Sequence, residues 1–458
     1  MLHPYPRHIL MRSLFTGLLA LYVLAGVQAA PFHGDESTII HKSRDWYLLI
    51  QGNLPALLYS ATPSQRAEQE LRLLNGVISD YAIGMLSWFG GSTIQAVNEQ
   101  WDWGADWAYN FSSGHAPTDA QLFVGRMSSA LMTILSVALV FAIARRLGGK
   151  GSAFLAAVIY ATFPSVLLNG RRAMFEGATL LAITLVIATG LIVSECRNSS
   201  SSTSVPTRWA NQRAWIALGL ASGFALASKH ILVITLFGVF AAILLLKRRH
   251  ILQTLALCVL AGVLALIAFL ALNPAWWSAP LVVPGEVLRL REDLANGQIE
   301  QYGGYSSTGQ RLSALISDVF SPPQYYEDQR GWPQWIAPQI AAYEASGFEG
   351  ITWSGIGIAL AYMLGIAGFV VWVTRALQRQ PLPGGNKSGH RESPSLILVW
   401  VVLISSIIGI YILTPLPWQR YYLPLAAPLA LAVGAAGGWL ISWFQEALLP
   451  LARRLNAR

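Results

Sequence analysis

The apolar residues of this 458-residue chain gather into ten long runs separated by polar segments. A helix that crosses a bilayer needs about 20 mostly apolar residues. Runs of that kind lie near 10–29, 123–144, 151–169, 176–194, 212–228, 231–247, 251–273, 351–374, 395–414 and 421–444. The pair 212–228 and 231–247 is the weakest, because each run is short and only Lys229-His230 divides them. Two mixed segments are long, roughly 30–122 and 274–350. Within the first, Leu71, Leu74, Val77 and Ile78 recur at helical spacing between Ser64 and Leu86. Together with Trp101, Trp103 and Trp107, that segment can lie flat at a membrane interface or fold into a small packed cap. The stretch from Asn198 to Pro206 is serine-rich and predicts a flexible linker. No internal repeat is evident.

Composition agrees with this pattern. Hydrophobic residues make up 54% of the chain and charged residues 12%, against about 25% charged in soluble domains. The expected fold is therefore an all-α polytopic membrane protein, one transmembrane domain over 1–458 with about ten helices. A net charge of +8 could suggest nucleic acid, but the cations sit in short clusters between apolar runs: Arg145/Arg146/Lys150, Lys247/Arg248/Arg249, Arg375/Arg379 and Arg453/Arg454. Such clusters mark cytoplasmic loops and do not build a nucleic-acid groove. With the N-terminus counted in, the segments so assigned hold 18 of the 31 Lys/Arg, while 20 of the 23 Asp/Glu fall on the opposite side. Both termini are thus expected in the cytoplasm, with segments 30–122 and 274–350 as non-cytoplasmic loops bearing interfacial helices. The first run ends in Val27-Gln28-Ala29-Ala30, which resembles a signal-peptidase site; nine further spans favour its retention. Cys196 and Cys258 form neither a disulfide framework nor a metal pair.

Candidate chemistry lies at helix ends, not in mid-membrane. A charge at the bilayer centre costs about 2.5–3.5 kcal/mol or more, and ion or proton pathways display the few they need. Here the charges collect at the outward ends: His33-Gly34-Asp35-Glu36 after the first run, Arg126 opening the second, and Arg171-Arg172 with Glu176 between the third and fourth. Lys229-His230 follows the fifth, and Arg420-Tyr421-Tyr422 opens the tenth. Each has an ordinary alternative. Asp35 can cap a helix starting near Glu36 or Ser37; Arg172 and Glu176, four apart, can pair on one helix face; Lys229 and Arg126 can snorkel to headgroups. No metal-ligand spacing emerges around His33 and His41, so a divalent metal is not indicated. Convergence on one face favours a shared site, with cations for a phosphate and a carboxylate for a proton.

Several of these stretches resemble a known family. Phe32-His33-Gly34-Asp35-Glu36, directly after the first run, is similar to the Asp-Glu motif of the protein O-mannosyltransferase-like branch of the GT-C glycosyltransferases, which includes the lipid A aminoarabinose transferases. Gly125-Arg126-Met127-Ser128-Ser129-Ala130-Leu131 resembles the family's second helix, and Gly170-Arg171-Arg172-Ala173-Met174-Phe175-Glu176-Gly177 its third-to-fourth helix junction. Ala227-Ser228-Lys229-His230, Asn273-Pro274-Ala275-Trp276 and Arg420-Tyr421-Tyr422-Leu423-Pro424-Leu425 resemble later landmarks in the same order, so that nearly the whole chain is covered. The resemblance implies an inverting transfer of a sugar from a polyprenyl-phosphate donor to a glycan, lipid or protein acceptor, at the outer face of the plasma membrane. It implies Asp35 as catalytic base with Glu36 beside it, and Arg172, Lys229 and Arg420 as ligands of the donor phosphate. Arg126, Arg171, Glu176, His230, Tyr421 and Tyr422 would line the site. The chain departs from the eukaryotic mannosyltransferases in lacking a large β-rich insert. Two rival readings remain: a transporter or flippase of a lipid-linked saccharide, and a non-catalytic scaffold. The first would show broken helices and polar midplane residues, and the second has no use for Asp35-Glu36 among outward cations.

Overall fold

The computed structural model describes residues 5–196, 205–326, 332–378 and 395–455; residues 198–204 of the serine-rich stretch and Arg379 lie outside them. Among the described residues the fold is helical throughout, with no β-strand. In chain order the α-helices are α1 (Tyr5–Ala25), α2 (Gly34–Lys42), α3 (Arg44–Ile50), α4 (Arg66–Leu74), α5 (Ile78–Phe89), α6 (Trp107–Ser112), α7 (Asp119–Thr162), α8 (Pro164–Arg171) and α9 (Glu176–Glu195). They continue as α10 (Val205–Ser228), α11 (Val233–Leu246), α12 (Ile251–Leu272), α13 (Val283–Tyr302), α14 (Thr308–Ser317), α15 (Pro333–Ala345), α16 (Gly355–Gln378), α17 (Ser395–Leu413) and α18 (Leu423–Leu455).

Every expected run is helical, with one interruption. Among the described residues, five stretches are long and apolar enough to cross a bilayer: Asp119–Thr162, Glu176–Glu195, Arg248–Leu272, Leu396–Leu413 and Gln419–Gln445. Leu10–Ala25, His230–Leu246 and Gly355–Val371 are apolar but shorter. The run 151–169 is divided: α7 stops at Thr162, Phe163 is extended, and α8 restarts on Pro164, whose fixed φ suits a first helical position. Within α7 the helix breaks at Gly148 and Gly149. Gly149 has φ of 83°, a conformation that only glycine adopts cheaply, and this break falls in the loop expected between the second and third spans.

The helices form a bundle around α7, α9 and α18. In the most apolar 18 residues of Gln419–Gln445, 83% are buried inside the protein, against 17% for Arg248–Leu272, so α18 is central and α12 peripheral. Small residues let the central helices approach closely: Ala153, Ala156 and Ala157 of α7 and Ala426, Ala430 and Ala435 of α18 are fully buried.

The two long segments meet in one cap at the other end of the bundle from the Gly148–Gly149 break. Trp101 and Trp107 pack with Phe32 from the first segment and with Ile336, Trp332 and Trp335 from the second. Phe111 and Trp335 stack at 5.1 Å and Trp107 lies parallel to Trp335 at 6.5 Å. Of the two readings left open for this segment, the packed cap is the one observed. The amphipathic stretch 64–86 is also two helices, α4 and α5, broken at Asn75–Val77, where the Val77 amide donates to the Ala227 carbonyl at 2.8 Å. That bond ties the cap to the end of α10, beside Lys229.

Candidate active site

The site is built on the first turn of α2. Its N-cap is His33, not Asp35: the Asp35 amide donates to His33 Nδ1 at 3.0 Å, while the His33 amide donates to Glu36 Oε2 at 3.0 Å. This is a reciprocal capping box with histidine in the place usually held by serine or threonine. Successive residues on a helix are about 100° apart, so the cap sends the adjacent carboxylates Asp35 and Glu36 in different directions.

Glu36 points into the protein and is fully buried. Arg126 of α7 grips it with two bonds, Nε to Oε1 at 2.8 Å and Nη2 to Oε2 at 2.9 Å. The Ala173 amide donates to Oε1 at 2.9 Å, so Glu36 joins α2, α7 and the α8–α9 junction at one point. Burial opposes its charge, but the Arg126 charge and bonds, the Arg172 charge and the Ala173 amide outweigh burial and hold its pKa below the usual carboxylate range.

Asp35 points the other way. Its side chain is 28% exposed and meets Arg420 Nη1 in a short ion pair. Arg420 precedes α18, and its guanidinium lies 4.8 Å over the Trp418 ring. His33 Nδ1 is 3.7 Å from the Asp35 carboxylate. His33 in turn lies against Tyr326 at 4.5 Å and Trp103 at 6.5 Å, and Trp103 is 41% exposed. The result is a carboxylate at the edge of a buried cationic cluster, roofed by aromatic side chains.

The other expected site residues divide. Arg172 is buried beside this turn, donating through Nε to the Pro31 carbonyl at 3.1 Å and through Nη2 to the Tyr325 carbonyl at 2.6 Å. Arg171 instead locks the scaffold. It donates to the carbonyls of Tyr22 at 2.7 Å, Val23 at 2.9 Å and Phe348, and to the Tyr343 hydroxyl at 2.8 Å. These partners are the last turn of α1, the end of α15 and the turn that follows it, and the Arg171 guanidinium fits only because residue 26 is glycine: a Cβ there would stand 2.3 Å from Cζ. The Arg172–Glu176 pair expected from the sequence is not formed. Glu176 Oε1 accepts from Lys229 Nζ at 2.9 Å, because α9 begins only at Glu176 and residue 172 lies outside the helix that a four-residue pairing requires. Neither Lys229 nor Arg126 snorkels to a headgroup; both are held by glutamates. His230 packs against Phe269 and Trp276. Tyr421 stacks on Trp418 at 5.5 Å. Tyr422 is fully buried with its hydroxyl against that of Tyr305, so it supports the Arg420 segment from behind.

Sequence reasoning missed three features. Lys42 lies seven residues after Asp35, nearly on the same face of α2, and is buried against Asp80 at 2.7 Å and over the Phe175 ring at 5.0 Å. That two-turn spacing was the available signal. Burial pushes the Asp80 carboxyl up to about 6, with Lys42 pulling the other way. Gln419, next to Arg420, exchanges amide bonds with Gln324 at 2.7 and 3.0 Å and donates to the Asp318 carbonyl at 2.9 Å. It thereby fixes the Arg420 segment to the second cap segment, a long-range pairing that no local pattern announces. Arg291 of α13 reaches the Leu74 carbonyl at the end of α4. No cluster of three or more His, Cys, Asp or Glu with metal-holding geometry occurs among the described residues.

A helical protein with spans apolar enough to cross a membrane and charged helix ends gathered under an aromatic cap is the class that fold and site define, and comparison with known proteins finds its likenesses among GT-C glycosyltransferases. Residues 96–280 match the family described as dolichyl-phosphate-mannose-protein mannosyltransferase. In fold, the chain is similar to the Archaeoglobus fulgidus oligosaccharyltransferase solved in complex with Zn and sulfate, with a TM-score of 0.50 and 14% identity over 97% of this chain and 51% of that one. It also matches ArnT from Cupriavidus metallidurans bound to undecaprenyl phosphate, with a TM-score of 0.36 and 14% identity over 96% of this chain and 80% of that one. The match to the S. cerevisiae protein O-mannosyltransferase complex bound to the sugar donor has a TM-score of 0.35 and 14% identity, over 67% and 36%. The chain spans about half the length of the archaeal enzyme. No curated protein matches it in sequence. The GT-C resemblance read from the sequence is borne out.

Proposed function

We propose that this protein is a membrane glycosyltransferase that moves a sugar from a polyprenyl-phosphate carrier to a glycan, lipid or protein acceptor, with inversion at the sugar C1. One observation carries the proposal: Asp35 and Arg420, from opposite ends of the chain, meet at a partly exposed edge of an otherwise buried cationic cluster. The family match over 96–280 supports the carrier chemistry.

In this mechanism Asp35 accepts the proton of the acceptor hydroxyl or amine as that atom attacks C1. The C1–O bond to the phosphate breaks, and its electron pair leaves with the carrier phosphate. Arg420 and Arg172 stabilise the charge that grows on the phosphate, which favours the transition state over the ground state. Lys229 contributes by sharing its charge between Glu176 and the phosphate. Glu36 does not react; it fixes the direction of Asp35. Arg126 supports the same turn through Glu36, and Arg171 locks the end of α1 to Tyr343 and Phe348. Orientation follows the charge pattern: about ten spans, both termini cytoplasmic, and the Asp35 site on the non-cytoplasmic face of the plasma membrane. Cysteine labelling that placed positions 35 and 248 on the same side would overturn that orientation.

The direct test is transfer by the purified protein in nanodiscs, using synthetic polyprenyl-phosphate sugars and a panel of lipid, glycan and peptide acceptors. Product with inverted anomeric configuration is expected, and Asp35→Asn should lower its formation by about 10²–10⁴-fold. Transport of the intact donor across the bilayer without transfer would contradict the proposal.

A further inference from the structure

A cavity of about 460 Å³, whose lining does not include Asp35, opens where the α13–α14 turn meets the cap end of α17. Arg311, Tyr305, Ser307, Thr308, Tyr411 and Thr414 supply its polar and aromatic lining. Arg311 is half-buried there, its guanidinium 4.6 Å from the Tyr305 ring and 5.4 Å from the Tyr411 ring. One bond goes to the Thr414 carbonyl at 3.2 Å, and among the described residues no carboxylate lies within ion-pair distance. Most other half-buried or buried cations of the cap answer a carboxylate: Lys42 pairs with Asp80, Arg72 with Asp45 and Arg126 with Glu36. Aromatic walls can orient a guanidinium without neutralising it, so Arg311 presents a planar fork and a whole positive charge to the cavity.

The surface around the cavity is apolar. Ile412 and Leu413, at the end of a helix apolar enough to span a bilayer, are 65% and 55% exposed, and Leu312 and Ile316 of α14 are 49% and 52% exposed. A ligand that satisfies both features carries an anion on an acyl or isoprenoid chain. We infer that this cavity binds the phosphate of a lipid head, with Arg311 as its charge partner, the Ser307 and Thr308 hydroxyls beside it, and the lipid chain lying along the exposed end of α17. The site is separate from Asp35 but mechanically close to it, because Tyr305 donates to the Leu416 carbonyl at 2.9 Å and touches the Tyr422 hydroxyl, two residues from Arg420.

Native mass spectrometry of the full chain, released from nanodiscs containing phosphatidylglycerol, polyprenyl phosphate or diacylglycerol, tests the inference without reference to transfer activity. The wild-type protein is expected to retain a phosphate-bearing lipid and not diacylglycerol. Arg311→Met should reduce that retention at least tenfold, and Arg311→Lys should reduce it less, because lysine keeps the charge without the fork. Which of the two phosphate lipids is held identifies the source, a bulk membrane lipid or the carrier itself. Thr308→Glu, at an exposed first-turn position where an acid suits the helix, should also expel the lipid while leaving the melting temperature unchanged. Equal retention by wild type, Arg311→Met and Thr308→Glu overturns the inference. So does equal retention of diacylglycerol, or full displacement by millimolar inorganic phosphate.

Discussion

The neighbouring carboxylates Asp35 and Glu36 stand in opposite kinds of surroundings. Glu36 is sealed among Arg126, the His33 amide and the Ala173 amide, whereas Asp35 stays 28% exposed at an ion pair with Arg420. The contrast teaches that an acidic motif need not act as a unit. One residue can be fixed as structure so that its neighbour is held at a chosen angle, and a supporting shell of this kind is what a reactive group requires. The same contrast separates the arginines. Arg171 holds four neutral acceptors of the scaffold, while Arg420 reaches the partly exposed edge at Asp35.

The largest effect should come from breaking the sealed side. Removing one partner of a buried pair leaves an uncompensated charge, at a cost of about 3–5 kcal/mol. Glu36→Ala and Arg126→Met should each lower the thermal midpoint in detergent steeply. The double mutant should lose much less than the sum of the two, because neither charge is then stranded. Additive losses would mean that the two residues do not depend on each other.

At the open edge the effect should fall on turnover. Arg420→Gln should depress transfer strongly whichever sugar the carrier bears, and Arg420→Lys should recover only part of it, because lysine keeps the charge but not the fork. The comparison needs two donors that share one lipid and differ in sugar. Loss confined to one sugar would assign Arg420 to the glycan instead of the phosphate.

A smaller effect should appear in pH dependence, where Glu36 and a second buried carboxylate, Asp80, have opposite signs. Glu36 is held below the ordinary carboxylate range by its partners. Its contribution to stability is present above the unfolded value and lost as pH falls through the folded one. Asp80 receives a single bond from Lys42, its Oδ1 has no partner, and burial pushes its carboxyl up to about 6. Its contribution is therefore present below the ordinary value near 3.8 and lost as pH rises through about 6. Asp80→Asn should flatten the stability profile between these values, and Glu36→Gln should flatten it only at lower pH. Melting curves from pH 3 to 8 on both variants check the signs.

Much of this was legible in the sequence, for identifiable reasons. Apolar length located the helices, since each long run carries its own signal, and the cluster Arg145/Arg146/Lys150 marked the loop in which Gly148 and Gly149 break α7. The site's landmarks were visible as charges at helix ends. Partner choice was not visible, because it is tertiary. Glu176 reads as a mate for Arg172 only if both lie on one helix, and the helix starts too late for that. The cap at His33 was misplaced to Asp35 because histidine is not among the usual capping residues. Gln419 and Tyr305 bind across roughly a hundred residues, a distance over which local patterns say nothing.

The central claim is that Asp35 reacts and Glu36 supports. The most direct measurement takes Asp35→Asn and Glu36→Gln, both close in shape to the native side chains, and records donor-bound melting temperature and single-turnover transfer for each. Asp35→Asn should melt as the wild type does, still be stabilised by donor, and transfer about 10²–10⁴ times more slowly. Glu36→Gln should melt well below wild type and, at a temperature where it is folded, keep the larger share of its transfer rate. Normal transfer by a folded Asp35→Asn, or abolished transfer in a Glu36→Gln protein of wild-type stability, would contradict the assignment.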